Sequence, residues 1–217
     1  MPRQSKRDST PTVADLRMEE SCRVSPVCGV DEVGRGPWAG PLVAGAAILT
    51  DPGAVPGLAD SKALSATRRE VLAAALAERA LTGLGIVTVP EIDALGLTAA
   101  NDLAMARAVE ALAVRPAFAL VDGRRVPFGL PCPARALIGG DASSLSIAAA
   151  SIVAKVARDA MMDTLAARWP GYGWETNRGY GTAAHRAGLA ALGVCPEHRR
   201  SFKPIREMLS QEHAIES

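Results

Sequence analysis

The sequence predicts an α/β layer fold, with a central mixed β-sheet flanked by helices. Short apolar runs bounded by glycine and proline read as buried strands at Val27–Val33, Leu42–Leu49, 84–89, 117–121 and 136–138. Stretches of helical spacing separate the later runs. The first two runs are joined by a short Gly/Pro turn, so a hairpin opens a sheet whose other strands are reached through helices.

With 217 residues and 48% apolar side chains, the chain can bury one core of ordinary size. Residues 1–22 are polar and expected to be a disordered tail, and 23–217 a single domain, since no repeat or low-complexity linker divides them. The tail has no signal-peptide core, and no uncharged apolar run reaches membrane-crossing length. Cys22, Cys28, Cys132 and Cys195 form no C-x-x-C pair, which argues for reduced thiols and against zinc. A soluble, cytoplasmic monomer without membrane contact is expected. The net charge of +1 leaves any basic surface local.

The strand Val27–Val33 carries Asp31 and Glu32 near its end. Adjacent carboxylates there are costly unless cations or donors accompany them, and their oxygens are the ligands Mg2+ and Mn2+ take. Side chains alternate across a strand, so the two should share a site only where the pleat lapses, at the turn Gly34-Arg35-Gly36-Pro37. Residues 51–57 are loop, and Asp60-Ser61-Lys62 leads to a helix capped by Ser65, with Val71, Leu72, Ala75 and Leu76 facing inward. The strand 84–89 ends at Pro90. Thr98 is the expected cap of a helix whose core positions are Met105, Val109 and Leu112. Strand 117–121 runs into Asp122-Gly123, 124–134 is loop, and 136–138 leads to Gly139-Gly140-Asp141. The longest helix runs from Ser143 or Ser144 to about Arg168, and its small residues Ala148, Ala149, Ala150 and Ser151 let it lie close to a sheet.

Asp31, Glu32, Asp122 and Asp141 therefore sit at or just past three strand ends, along one sheet edge, where α/β folds place their sites. Four carboxylates match two divalent cations, an arrangement suited to in-line phosphodiester displacement. Taken singly, Asp141 is as readable as a helix cap and Asp122 as an Asp-Gly turn, so spacing alone leaves the choice even. Between Arg168 and Arg206, seven Lys/Arg face two acids, and Trp169, Tyr172, Trp174 and Tyr180 interleave with them. Basic charge with aromatics suits nucleic acid. The alternative is a helix packed by its aromatics, which the glycines flanking Tyr172 and Tyr180 disfavour.

The run Gly29-Val30-Asp31-Glu32-Val33-Gly34-Arg35-Gly36-Pro37 closely resembles the opening signature of type 2 ribonuclease H. So do Asp60-Ser61-Lys62, Val121-Asp122-Gly123, Gly140-Asp141, Ser146 through Ser151, Ala154-Lys155-Val156, Arg158-Asp159, Arg178-Gly179-Tyr180-Gly181-Thr182 with His185, His198-Arg199 and Ser201-Phe202. The match is colinear over roughly 27–206. It implies a ribonuclease H-like fold with a helical C-terminal extension. It also implies an endonuclease, dependent on Mg2+ or Mn2+, that cleaves the RNA of RNA–DNA hybrids. Such an enzyme cuts 5′ of single ribonucleotides in duplex DNA, leaving 5′-phosphate and 3′-hydroxyl ends, in ribonucleotide excision repair and DNA replication. The metal-binding, catalytic carboxylates of that family fall on Asp31, Glu32, Asp122 and Asp141, its ribose-sensing turn on Gly34, Arg35 and Gly36, and its sugar-stacking tyrosine on Tyr180. Lys62, Lys155 and Arg178 are candidates for phosphate contacts; the alternative for each is solvated surface charge, strongest for Lys155 on the outer face of the long helix. Only 26 residues precede the first strand, which favours type 2 over type 3, whose members carry a long N-terminal domain. Trp38 and Asn177-Arg178 depart from the usual pattern. Two competing readings are a binding module without catalysis and a two-metal nuclease acting on DNA alone; the four acids oppose the first, and the Gly-Arg-Gly turn with Tyr180 opposes the second.

Overall fold

Five strands and eight helices are found among the described residues, which are 14–50, 57–58 and 64–215 of a computed structural model. In chain order they are α1 (Arg17–Glu20), β1 (Val27–Val33), β2 (Leu42–Leu49), α2 (Ala66–Arg79), β3 (Ala80–Val87), α3 (Val89–Leu95), α4 (Leu97–Glu110), β4 (Phe118–Asp122), β5 (Ala134–Leu137), α5 (Leu145–Arg168), α6 (Trp174–Asn177), α7 (Ala183–Leu192) and α8 (Lys203–Ile215). A 3-10 turn, Gly140–Ala142, precedes α5.

The sheet order is β3-β2-β1-β4-β5. β2 pairs antiparallel with β1 and β3, whereas β1–β4 and β4–β5 are parallel. This is the mixed sheet the sequence implies. Parallel pairing sends the C-terminal ends of β1, β4 and β5 to one edge, which is how carboxylates far apart in sequence become neighbours.

Small residues set the layer spacing. A Cβ on Gly29 would run into the Ser146 backbone, and one on Gly85 into the Ala104 carbonyl, so α5 lies directly on β1 and α4 directly on β3. One core cluster, with Cys28, Val30, Ala104, Met105 and Val109, fills the α4 face. Another, with Leu72, Leu76, Ala148, Ala149 and Ile152, fills the α5 face. A third joins Ala39, Met162, Tyr172, Trp174, Leu189 and Ile205 beneath the C-terminal helices.

Several local expectations shift. Residues 14–22 do not behave as tail: Asp15 bridges Ser144 and α1 follows, while 1–13 lie outside the described residues. Asp60-Ser61-Lys62 also lies outside them. Ser65 caps α2 as expected, with its hydroxyl accepting from Arg68 N, but Val71 is 54% exposed and only Leu72 and Leu76 are buried. β3 begins at Ala80 and ends at Val87, because pairing runs the full length of β2. Thr88 then opens α3 through a capping box with Glu91, so Pro90 occupies a first helical turn, where a missing N–H is harmless. Gly96, not Thr98, caps α4. Met105, Val109 and Leu112 are buried as the spacing requires.

Candidate active site

The carboxylates come first. In register, Val30 pairs Val121, so Asp31 and Asp122 follow side by side on β1 and β4. Asp122 Oδ1 accepts a 2.7 Å hydrogen bond from Gly140 N, which ties β4 to the turn carrying Asp141. Asp31, Glu32, Asp122 and Asp141 line one cavity of about 320 Å3, joined by Arg69, Ser151 and Lys155. The pleat does not lapse, since β1 stays paired with β2 through Val33. Instead β1 and β4 part after Val30 and Val121, and the gap lets side chains from both faces of β1 reach one cavity. Glu32 and Asp122 also border a smaller hollow on the α4 side, near Asp102 and Arg125.

Asp31 is 7% exposed. Burial, then the charges of Glu32 and Asp122, push its carboxyl up to about 7. Burial also raises Glu32, against the pull of Arg35 at 3.3 Å. No three ligating side chains are gathered as a finished cation cage among the described residues. The donor set is nevertheless all hard oxygen and its mutual repulsion is incompletely relieved, conditions that suit a divalent cation.

Beside the cavity, the turn after β1 is built by two arginines that lie in matching motifs but to which sequence reasoning assigns no role. Arg158 and Arg199 are both fully buried. Arg199 donates to the carbonyls of Gly34 (2.6 Å), Arg35 (3.1 Å), Gly40 (2.9 and 3.0 Å) and Pro41 (3.1 Å). Arg158 donates to Pro41 (3.0 Å), Ala39 (3.3 Å) and Arg178 (3.1 Å). Burial and their mutual charge lower Arg199 to about 9, still a cation at neutral pH. Gly34 has φ +92°, and a Cβ there would collide with Arg158. Its glycine is therefore demanded by the fold itself.

Tyr180 meets this turn, its ring carbon Cε1 lying 3.2 Å from where a Cβ on Gly36 would stand. It is 49% exposed. Trp38 N donates to Gly179 O, and the Trp38 ring fills the space beside Gly181, which explains its departure from the usual residue.

The other aromatics took the alternative role. Tyr172 and Trp174 are buried and stack on each other at 4.9 Å, meeting His198 and His185 edge-on. Cys195 N donates to His198 Nδ1, so His198 donates through Nε2 to His185 Nε2 (3.0 Å), and His185 Nδ1 donates to Tyr180 O (3.0 Å). Both rings are neutral, with burial lowering His185 and bringing His198 to about 4. The histidines thus orient the backbone of Tyr180.

Among the basic candidates, Arg178 is ion-paired with Asp163 and bonded to Asp159 O, and it does not line the carboxylate cavity. Lys155 faces the carboxylate cavity, not the outside, and donates to Asp159 at 2.8 Å. Lys62 lies outside the described residues.

Comparison with known proteins places this geometry. The family model described as Ribonuclease HII matches residues 28–205. A ribonuclease HII of Jannaschia sp. (strain CCS1) is 58% identical over 184 residues, covering 84% of this chain and 92% of that one. The crystal structure of ribonuclease H2 from Pyrococcus horikoshii OT3 superposes with a TM-score of 0.74 at 28% identity, covering 86% of this chain and 98% of that one. Bst-RNase HIII in complex with Mn2+ shares the fold at a TM-score of 0.67 and 21% identity, over 96% of this chain and 76% of that one. The chain belongs to the ribonuclease HII family and is a nuclease that hydrolyses the RNA of RNA–DNA hybrids.

Proposed function

We propose that the protein also cuts 5′ of single ribonucleotides embedded in duplex DNA, leaving 5′-phosphate and 3′-hydroxyl ends. The observation that carries this is the contiguity of three parts: the four-carboxylate cavity, the Gly34-Arg35-Gly36 turn bonded to it through Arg35 and Glu32, and Tyr180 over Gly36. Only the 2′-hydroxyl distinguishes a ribonucleotide from its deoxy neighbours. Arg199 engages the Gly34 and Arg35 carbonyls, so the amides of the turn are the expected partners for that hydroxyl. The half-exposed Tyr180 ring is available to stack on the adjoining sugar, where a deoxyribose fits better.

Asp31, Glu32, Asp122 and Asp141 would hold two divalent cations, Mg2+ or Mn2+, which supply an activated water and neutralise the leaving 3′-oxygen. The protein's own work is to align the phosphate beside those carboxylates and to fix the sugar at the turn. Lys155 and Arg69, on the cavity wall, are better placed than Arg178 to meet phosphate, and Lys62 remains a proposed contact. We assign the chain from residue 14 onward, and not from 23, to one catalytic domain of a cytoplasmic monomer acting in ribonucleotide excision repair and DNA replication, because Asp15 and α1 are bonded to the start of α5. Among the described residues no helix is long and apolar enough to cross a membrane.

The test is incubation with Mg2+ or Mn2+ and three duplexes: all DNA, one embedded ribonucleotide, and an RNA–DNA hybrid. Cuts should map within the hybrid and immediately 5′ of the single ribonucleotide, with all-DNA untouched. Cleavage of the hybrid alone would remove the single-ribonucleotide reading.

A further inference from the structure

We infer that Glu19 is a positioning residue that braces Asp141 and the start of α5 against the carboxylate cavity. The inference rests on the reading of Asp141 as a cation ligand. Asp141 sits in the turn Gly140–Ala142, which is held from two sides. On the cavity side, Gly140 N donates to Asp122 Oδ1. On the far side, residues 15–19 grip the first residues of α5. Asp15 forms a parallel bridge with Ser144, and Leu145 N donates to Asp15 O at 3.2 Å. Glu19 Oε1 accepts from Ser144 Oγ (2.6 Å), Ser146 N (2.9 Å) and Ser146 Oγ (2.6 Å). Ser144 N in turn donates to Gly140 O at 2.8 Å, so the brace connects directly to the turn.

The chemistry explains why this contact matters. A helix start leaves amides without partners inside the helix. In α5 the amides of Leu145, Ser146 and Ile147 all find acceptors, and two of the three acceptors come from the N-terminal segment. A carboxylate at that position also complements the helix dipole. Ser144 and Ser146 are buried with their hydroxyls 3.1 Å apart, so without Glu19 one hydroxyl can turn to the other while the second hydroxyl and the Ser146 amide lose their acceptor away from water. Relief would come from movement of the turn that carries Asp141 and of the helix that carries Ser151 and Lys155. Glu19 Oε2 is buried with no hydrogen-bond partner among the described residues, so the brace works through one oxygen alone. Residues 15–19 precede the span that the family model matches, 28–205.

The experiment compares Glu19→Ala, Glu19→Gln and Asp141→Asn with the wild type, well below every melting temperature. Mn2+ binding is measured by calorimetry without nucleic acid, amide exchange at residues 140–147 is followed in metal-free protein, and single-turnover cleavage is separated from duplex affinity. Glu19→Ala should weaken Mn2+ binding about tenfold and slow cleavage about 10- to 100-fold, the range for groups that orient metal ligands. Exchange should quicken at 140–147, with duplex affinity unchanged. Glu19→Gln keeps one acceptor oxygen at the same reach and should recover most of the loss. Wild-type Mn2+ affinity in Glu19→Ala, a loss that Gln does not recover, or faster exchange spread evenly over the protein would each overturn the inference. If Asp141→Asn loses Mn2+ while Glu19→Ala does not, the brace alone fails; if Asp141→Asn binds Mn2+ normally, the ligand reading fails first.

Discussion

Two regions of this protein bury polar groups in opposite ways. At the carboxylate edge, Asp31 is buried beside Glu32 and Asp122, and its acid is pushed up to about 7. Under the C-terminal helices, Arg158 and Arg199 are buried as completely, yet each is surrounded by backbone carbonyls, and His185 and His198 share a closed chain of hydrogen bonds. The second region is satisfied and holds the turn and Tyr180 in place. The first is left short of positive charge, which is what a cation site requires before its ion arrives. The fold stabilises one so that the other can remain strained.

The largest effect should come from the strained side. Asp31→Asn is expected to lower single-turnover cleavage of an RNA–DNA hybrid by at least ~10²-fold, since a lost ligand lets the reacting groups drift. The same substitution should raise the melting temperature of metal-free protein, because a repelling charge is gone. Near-wild-type turnover would break the contrast between the regions.

On the satisfied side the signs reverse. Arg199→Met leaves the Gly34, Arg35 and Gly40 carbonyls without their buried donor, while Pro41 keeps Arg158, and should cost about 3 kcal/mol of stability in denaturant unfolding. A loss below about 1 kcal/mol would show that the turn holds itself.

Two tyrosines sharpen the comparison within one segment. Tyr180→Ala should weaken cleavage beside a single ribonucleotide by about 1–3 kcal/mol, with a smaller loss on a hybrid and little change in melting temperature. Buried Tyr172→Ala should instead destabilise the fold by about 3–5 kcal/mol and affect both substrates alike. Equal losses on both substrates for Tyr180→Ala, with a lower melting temperature, would assign Tyr180 to packing.

Acidity should separate the regions as well. Asp31 binds its proton more tightly folded than unfolded, so its penalty is absent below about pH 4 and grows as pH rises to about 7. His198 binds its proton more weakly when folded, so its contribution is present above about pH 6.5 and lost as pH falls towards about 4. In metal-free protein, Asp31→Asn should flatten the first slope and leave the second. The smallest effect belongs to Arg178→Gln, since the partly exposed pair with Asp163 should be worth no more than about 1 kcal/mol of stability, and its loss should barely change the salt dependence of duplex binding. A markedly weaker salt dependence would return Arg178 to the phosphate-contacting surface.

What the sequence alone determined was local in kind. The existence of the five strands, the Ser65 cap, the small-residue face of α5 and the positions of the four acids all follow from patterns within a few residues, because alternation and capping are short-range physics. The structure decided what depends on partners distant in the chain. Arg199 reaches Gly40 across 159 positions and Glu19 reaches Ser146 across 127. Neither partnership is marked in the sequence, since Arg199 meets backbone carbonyls that every segment carries, and Glu19 meets an amide and two serine hydroxyls far along the chain. For the same reason Tyr172 and Trp174 looked like a nucleic-acid surface, although tertiary packing buried them and left Tyr180 at the turn. Whether a polar residue is buried is settled by where the chain brings its partners, and only the folded arrangement of β1, α5 and the C-terminal helices fixes that.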